Sequence, residues 1–317
     1  MIKRIPSATT IEAAGNIYEK MFIFRLLKFR YCEQEKFWPV RKLSAFNTKR
    51  IVISYCHSHL QMKYTESDKI LSFEQRIPAY YVSLNGQIKF FTLAGMLLEG
   101  AAIHSSLHGY GYDDMVRDNI YWVLSRFHVI MHSYPRMGET VLIETWPKGA
   151  DRLFFLRDYR MLSKDNCLLA SATSAWLVLD GKTGRPKKMT EGNPFNRFDV
   201  DKLHAIEKVP DKLARIHEPD SRINTRARYS DLDINKHVNA AKYIEWIQDH
   251  YGEEVYITKN VQEFQINYQL ETRFGEEVEI RMKRCFEGGD FDFFEGIRTA
   301  DQNPAFRARI KFGDFDK

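Results

Sequence analysis

Two periodicities divide the chain. Segments such as "ASATSAWLVLD" (170–180) and "FRARIKFGD" (306–314) alternate in steps of two, the period of strands with one buried face. Two others run in helical steps. Over about 91–104, Leu93, Met96, Leu97, Leu98, Ala101, Ala102 and Ile103 leave little polar face, so this helix is expected to be wrapped by sheet. Over about 239–250, Ala240, Tyr243, Ile244 and Ile247 line one face, with Asn239 placed as N-cap and Gly252 as the stop. That pattern predicts a helix laid across a sheet.

The pattern occurs twice. "SLNGQIKFFTLAGMLLE" (83–99) matches "DINKHVNAAKYIEWIQD" (233–249) at an offset of 150, aligning Asn85 with Asn235, Ile88 with Val238 and Leu97 with Ile247. "FHVIMHSYPRMGETVLI" (127–143) matches "FQINYQLETRFGEEVEI" (264–280) at an offset of 137, sharing Phe, Arg, the Gly-Glu pair, Val and Ile. Phe-Phe pairs (154–155 and 293–294) and a last alternating strand follow each landmark, with "SKDN" and "ADQN" as turns. Each half therefore reads as a short strand, one helix and several long antiparallel strands, an α+β layer packing. The expected halves are 65–195 and 223–317. The Gly-, Pro- and charge-rich stretch between them gives a linker at 196–222, within a connector that begins near 181.

Composition narrows the picture. The 317 residues suffice for two cores, and 44% hydrophobic with 14% aromatic residues argues for a folded protein with many strands. The longest apolar run, "FFTLAGMLLEGAA", falls short of a bilayer span and contains Glu99, so no membrane span is expected. Cys32, Cys56, Cys167 and Cys285 show no CxxC or zinc spacing, which reads as free thiols in a reducing compartment. The net charge of +5 sits at one end: residues 1–61 hold 11 Lys or Arg against 4 Asp or Glu, the remainder 36 against 38. The basic balance thus gives no reason to expect nucleic-acid binding by the body. Residues 1–61 are expected to be a poorly ordered basic extension, or the product of a start codon set too far upstream. Without a signal or transit layout the reading is a bacterial cytoplasmic protein.

The candidate chemistry lies in "DLDINKHVN" (231–239). Read as extended backbone, it sends Asp233, Asn235 and His237 to one side, beside the unpaired N–H groups of the following helix. Asp and Asn before a helix are also ordinary turn and cap residues, and a lone His there is more often structural. The repeat shifts the balance, because the first copy keeps the apolar positions yet has Ser83 for Asp233, Gln87 for His237 and Tyr134 for Glu271. A requirement of the fold belongs in both copies. Asn85, matching Asn235, marks that position as a turn requirement too. No GxSxG elbow, P-loop, dinucleotide fingerprint or metal-ligand spacing is present, so no cofactor or metal is expected.

At these residues the chain resembles the acyl-acyl carrier protein thioesterases. The resemblance covers about 65–317 and rests on "YWVLSRFHVIMHSYPRMGETVLIETW", "RDYRM…ATSAWLVLDGKTGRPKKM" and "DLDINKHVNAAKYIEW". It implies a tandem double hot-dog, each half a long helix wrapped by antiparallel sheet. It also implies catalytic Asp233, Asn235, His237 and Glu271, and fatty acyl-acyl carrier protein as substrate. Plant members carry Cys after the Glu; Thr272 stands here, so a papain-like cysteine mechanism is not expected and Cys285 is a poor substitute. Asn239-Ala240 replaces a common Asn-Asn.

The expected reaction is thioester hydrolysis that releases free fatty acid. Asn235 and the helix N-terminus would stabilise the oxyanion, and Asp233 or Glu271 would act as base or nucleophile. The first half would supply the acyl tunnel, and Lys148, Arg152 and "GKTGRPKK" (181–188) would be docking points for the acidic carrier, unless they are simply solvated. An acyl-CoA thioesterase and a non-enzymatic acyl-binding hot-dog protein are the alternatives, and a homodimer is left open.

Overall fold

The computed structural model describes residues 50–51, 62–65, 69–187, 203–284 and 290–314. The N-terminal extension, apart from Arg50–Ile51, and Cys32, Cys56 and Cys285 lie outside the described residues. The first half contains β1 (Arg50–Ile51), β2 (Met62–Thr65), β3 (Leu71–Arg76), α1 (Phe90–Leu107), α2 (Tyr112–Arg117), β4 (Ile120–Met131), β5 (Thr140–Asp151), β6 (Phe154–Leu162) and β7 (Leu168–Asp180). The second contains β8 (Ser221–Arg226), α3 (Ala240–Gln248), α4 (Glu253–Thr258), β9 (Lys259–Tyr268), β10 (Glu277–Arg284), β11 (Asp292–Arg298) and β12 (Pro304–Asp314).

The strands form one antiparallel sheet in the order β1-β2-β3-β5-β6-β7-β4-β9-β12-β11-β10-β8. Setting β1 and β2 aside, the order reads the same inward from both ends, so β3, β5, β6, β7 and β4 correspond to β8, β10, β11, β12 and β9. The halves meet where Phe127 pairs with Ile266, His128 with Gln265 and Val129 with Phe264. At the offset of 137, His128 faces its own counterpart, which puts a pseudo-two-fold axis through that pair. The repeat read from sequence is therefore a repeat of structure: a tandem hot-dog of the α+β class.

Alternation does what the strand pattern dictates. Phe306, Ala308 and Ile310 of β12 are buried on the helix side, while Arg307 reaches Glu295 at 2.7 Å and Arg309 reaches Glu263 at 3.3 Å on the other. Phe127, Tyr159, Phe264, Phe294 and Phe306 are among the largest side chains fully buried in one continuous core. Each contributes on the order of 2 kcal/mol by leaving water. Helix α1 buries Phe90, Leu93, Ala94, Leu97 and Ala101 but leaves Glu99 and Ala102 exposed, so the sheet covers it on one side rather than all round. By length and composition α1 would also pass for a membrane span; here its apolar side faces the sheet and the second half's helix. The two helices run antiparallel, with Phe91 N–H donating to Gln248 Oε1 at 2.9 Å and Gly95 so close that an added Cβ would lie 3.7 Å from Ala241 Cβ.

Helix α3 starts as expected, with the Asn239 side chain accepting from Ala241 N–H at 2.9 Å. It ends earlier than expected. Asp249 caps it, and Gly252, in extended backbone rather than a left-handed stop, begins α4. Two acidic residues, Glu253 and Glu254, occupy the first turn of that helix, where its dipole favours them.

The described part of the connector, 203–220, lies on the sheet face opposite the helices. Trp146 Nε1 donates to Leu203 O at 3.0 Å, Asp158 Oδ2 accepts from Ala205 N–H at 2.8 Å and Arg126 donates to Pro210 O at 2.7 Å. Gln265 and Asn267 both donate to Asp211 O, at 2.6 and 3.1 Å. These side chains are polar inside a sheet because they satisfy the backbone of the strap crossing them. The same strap removes Lys148 as a docking point: it is buried, 3.2 Å from Asp158, and donates to the carbonyls of Ile206 and Glu207. Arg152 and residues 181–187 are exposed.

Candidate active site

The segment before α3 is a turn rather than a strand. Asp233 N–H donates to His237 O at 2.8 Å and Lys236 N–H to Asp233 O at 3.0 Å, with Lys236 in the left-handed region at φ 64. Asp233 Oδ1 accepts from Asn235 N–H at 2.8 Å and lies 3.4 Å from His237 N. An Asp that can bond the amide two residues on competes with extended backbone, and here it wins. The simple alternation of three side chains is thereby lost. Asn235 is exposed and its side chain makes no hydrogen bond among the described residues, while His237 turns toward the next landmark.

That landmark is the turn between β9 and β10. His237 bridges Arg273 through the backbone, and its Nε2 lies 3.8 Å from Glu271 Oε1, with the two side chains 32% and 51% exposed. Arg273 Nη2 holds the same carboxylate oxygen at 3.1 Å, and Arg298 Nη1 donates to the Glu271 carbonyl at 2.9 Å. The helix locks this turn in place. Val238 N–H donates to Thr272 O at 2.8 Å, and Thr272 N–H donates to the Tyr243 hydroxyl at 3.1 Å. Burial pushes the Tyr243 phenol up to about 12, so it stays a neutral hydroxyl. Tyr268 ties the helix start from the other side, donating to Ala240 O at 2.9 Å.

Sequence reading had no way to see the two arginines. Arg273 has a counterpart in Arg136, which marked it as scaffold, and Arg298 lies on β11 in a different landmark. Thr272 is fully buried against Tyr243, and among the described residues its Oγ1 makes no hydrogen bond to a His or carboxylate that could act as its base. The oxyanion donors expected from the helix start are partly committed, since Asn239 already occupies the Ala241 N–H.

The first half contains the same turn. Ser83 N–H donates to Gln87 O at 2.8 Å, Gly86 N–H to Ser83 O at 3.0 Å and Ile88 N–H to Pro135 O at 3.0 Å, with Gly86 at φ 75 where Lys236 stands in the second half. Its polar side chains face structure. Asn85 accepts from Gln87 N–H at 2.9 Å and donates to Gln87 Oε1 at 3.2 Å and Tyr256 O at 3.3 Å, and the Tyr134 hydroxyl donates to Val261 O at 2.8 Å. Asn85 is thus bound into the fold, whereas Asn235 is open.

Residues 70–193 match the acyl-ACP thioesterase N-terminal domain and residues 215–313 the acyl-ACP thioesterase C-terminal domain. The chain is 27% identical over 225 residues to oleoyl-acyl carrier protein thioesterase 1, chloroplastic, of Arabidopsis thaliana, a match covering 63% of this chain and 60% of that protein. An acyl-ACP thioesterase from Bacteroides thetaiotaomicron superposes with a TM-score of 0.71 at 28% identity, covering 79% of this chain and 100% of that one. A 12:0-ACP thioesterase from Umbellularia californica shares the fold, with a TM-score of 0.69 at 20% identity, covering 78% and 98%. With both domain models matched in order, and the duplicated turn present in both halves, the chain belongs to the acyl-ACP thioesterase family.

Proposed function

We propose that this protein hydrolyses the thioester of fatty acyl-acyl carrier protein, releasing free fatty acid and ending chain elongation. The observation that carries the reading is the inequality of the two turns. The same backbone is built twice, but of the two copies only the second carries an Asp, an open Asn, a His and a Glu at these positions.

The geometry supports the following division of roles. Asp233 spends an oxygen on the turn's own amides and holds Asn235 and His237 in place. Glu271, half exposed and within reach of His237, is the base that takes a proton from water as it attacks the thioester carbonyl. Asn235 donates to the oxygen that gains charge in the tetrahedral step. The carbon–sulfur bond then breaks, the departing thiolate takes a proton from His237, and Glu271 passes the proton it took from water to His237, which restores both groups. The first half, with its catalytic positions replaced, lines the site for the acyl chain.

The test is turnover of acyl carrier proteins loaded with a ladder of chain lengths, the released acids being identified by mass spectrometry. Release by the wild type, with Glu271→Ala and Asp233→Ala each slowed by about 100-fold or more, is the expected result. Both variants turning over as fast as wild type would overturn the site, and release from matched acyl-CoA alone would favour a CoA thioesterase.

A further inference from the structure

The end of the second half that carries Glu271 has an unusual surface. Arg226, Arg228 and Lys236 are exposed, and none has a carboxylate partner among the described residues. They belong to one patch. Gly275 N–H donates to Ala227 O at 2.9 Å, Arg226 Nε donates to Gly275 O at 3.0 Å, and Lys236 sits between Asn235 and His237. Among these cations stand Tyr229, Ile234 and Phe274, which are 86%, 70% and 67% exposed. Neighbouring Arg273 and Arg298 differ in that Glu271 and Asp301 already neutralise them.

The first half again serves as a control. Its tip residues Leu84 and Met137 are also exposed, so apolar tips at those positions come with the fold. It also keeps an exposed Arg76 in the place of Arg226 and an exposed Tyr80 beside the counterpart of Tyr229; what it lacks are two of the cations, since Pro78 replaces Arg228 and Gly86 replaces Lys236. Of the two turns, the one that holds the polar set thus carries two cations that the other does not. Free cations interleaved with exposed apolar side chains match an acidic protein surface that also offers some apolar contact.

We propose that Arg226, Arg228 and Lys236, with Tyr229, Ile234 and Phe274, form the docking face for the acidic carrier protein, which delivers its acyl-pantetheine thioester to Glu271 and His237. The assignment rests on the hydrolase reading above, and it moves the docking face from the first half's basic loop to the turn side of the second half. The carrier contacts the rim while its flexible arm enters beside Glu271, so the rim sets encounter and residence but leaves the bond-breaking step alone.

The test pairs Arg228→Glu with Lys236→Asn, asparagine being chosen because it tolerates the left-handed backbone at that position. Binding of unacylated carrier protein is measured by fluorescence anisotropy, and turnover is compared between acyl carrier protein and the same acyl group on pantetheine alone. The expected result is binding about tenfold weaker, with kcat/KM on the carrier substrate falling by a similar factor through KM and losing part of its salt dependence. Turnover of acyl-pantetheine stays within about twofold of wild type. Unchanged carrier binding, an equal loss on both substrates, or a matching loss from Arg152→Glu with Lys182→Glu and Arg185→Glu instead would overturn the proposal. Absence of wild-type hydrolysis on either substrate would sink the hydrolase reading, and the binding measurement would still decide the docking face.

Discussion

Asn85 and Asn235 occupy the same place in two copies of one turn, yet their side chains have different work. Asn85 donates to Gln87 and to the carbonyl of Tyr256 across the halves, so Asn85→Ala is expected to cost stability, on the order of 1 kcal/mol for the lost bonds, and to leave kcat intact. Asn235→Ala should do the reverse: a melting temperature close to wild type and a fall in kcat of about 100-fold, the size expected for one oxyanion donor. Thermal unfolding and steady-state kinetics on the two variants check the contrast, and equal behaviour would refute it. The candidate residues could be picked out in the sequence because the repeat supplied an internal comparison. Their geometry was not. The carboxylate of Asp233 could bond its own backbone, and a two-residue period cannot show that choice. Arg273 was hidden for a different reason: shared by both copies, it looked like scaffold, although only in the second copy does a carboxylate stand two residues before it.

Helices and turns show the same mixture of foresight and surprise. Period and cap residues placed α1 and the start of α3 to within a few residues, because Asn239 caps in the way its type prefers. The end of α3 was misjudged, since Gly252 suits either a helix stop or a cap for the next helix, and the acidic residues that follow it decide for the latter. Two consequences follow at this scale. Asn239→Ala should lower stability by about 1 kcal/mol through loss of the cap, seen as a shifted urea midpoint with unchanged slope. Lys236→Gly should raise it slightly, because the left-handed backbone at that position costs a non-glycine residue and costs glycine little. An unchanged midpoint for both variants would mean that packing against the sheet, not local chemistry, sets the helix start.

At the scale of the whole molecule, the sheet covers one main core, and a buried titratable group there contributes to how stability responds to pH. His104 on α1 accepts from Arg157 Nη1 at 2.9 Å through its Nδ1, and burial, with Arg157 and His108 adding to it, lowers its pKa from 6.5 to about 2. The folded protein therefore holds this imidazole neutral, while the unfolded chain protonates it near pH 6.5. Stability from this source is complete above that pH and is lost as pH falls below it, by up to about 1.4 kcal/mol per unit. His104→Gln keeps an acceptor for Arg157 and cannot ionise in this range, so urea unfolding at pH 7.5 and pH 5 should show a smaller acid loss in the variant than in wild type. The fold class and pairing of halves were readable from the sequence because alternation and repetition extend over hundreds of residues, whereas the strap over the outer face was not, since its partners are single polar residues scattered across strands. The pairing of His128 with Gln265 has a last consequence. Two subunits meeting at such an edge would separate on dilution, but here both partners belong to one polypeptide, so mass action cannot pull the junction apart. Dilution to trace concentrations should accordingly cause no loss of specific activity through separation of the two halves.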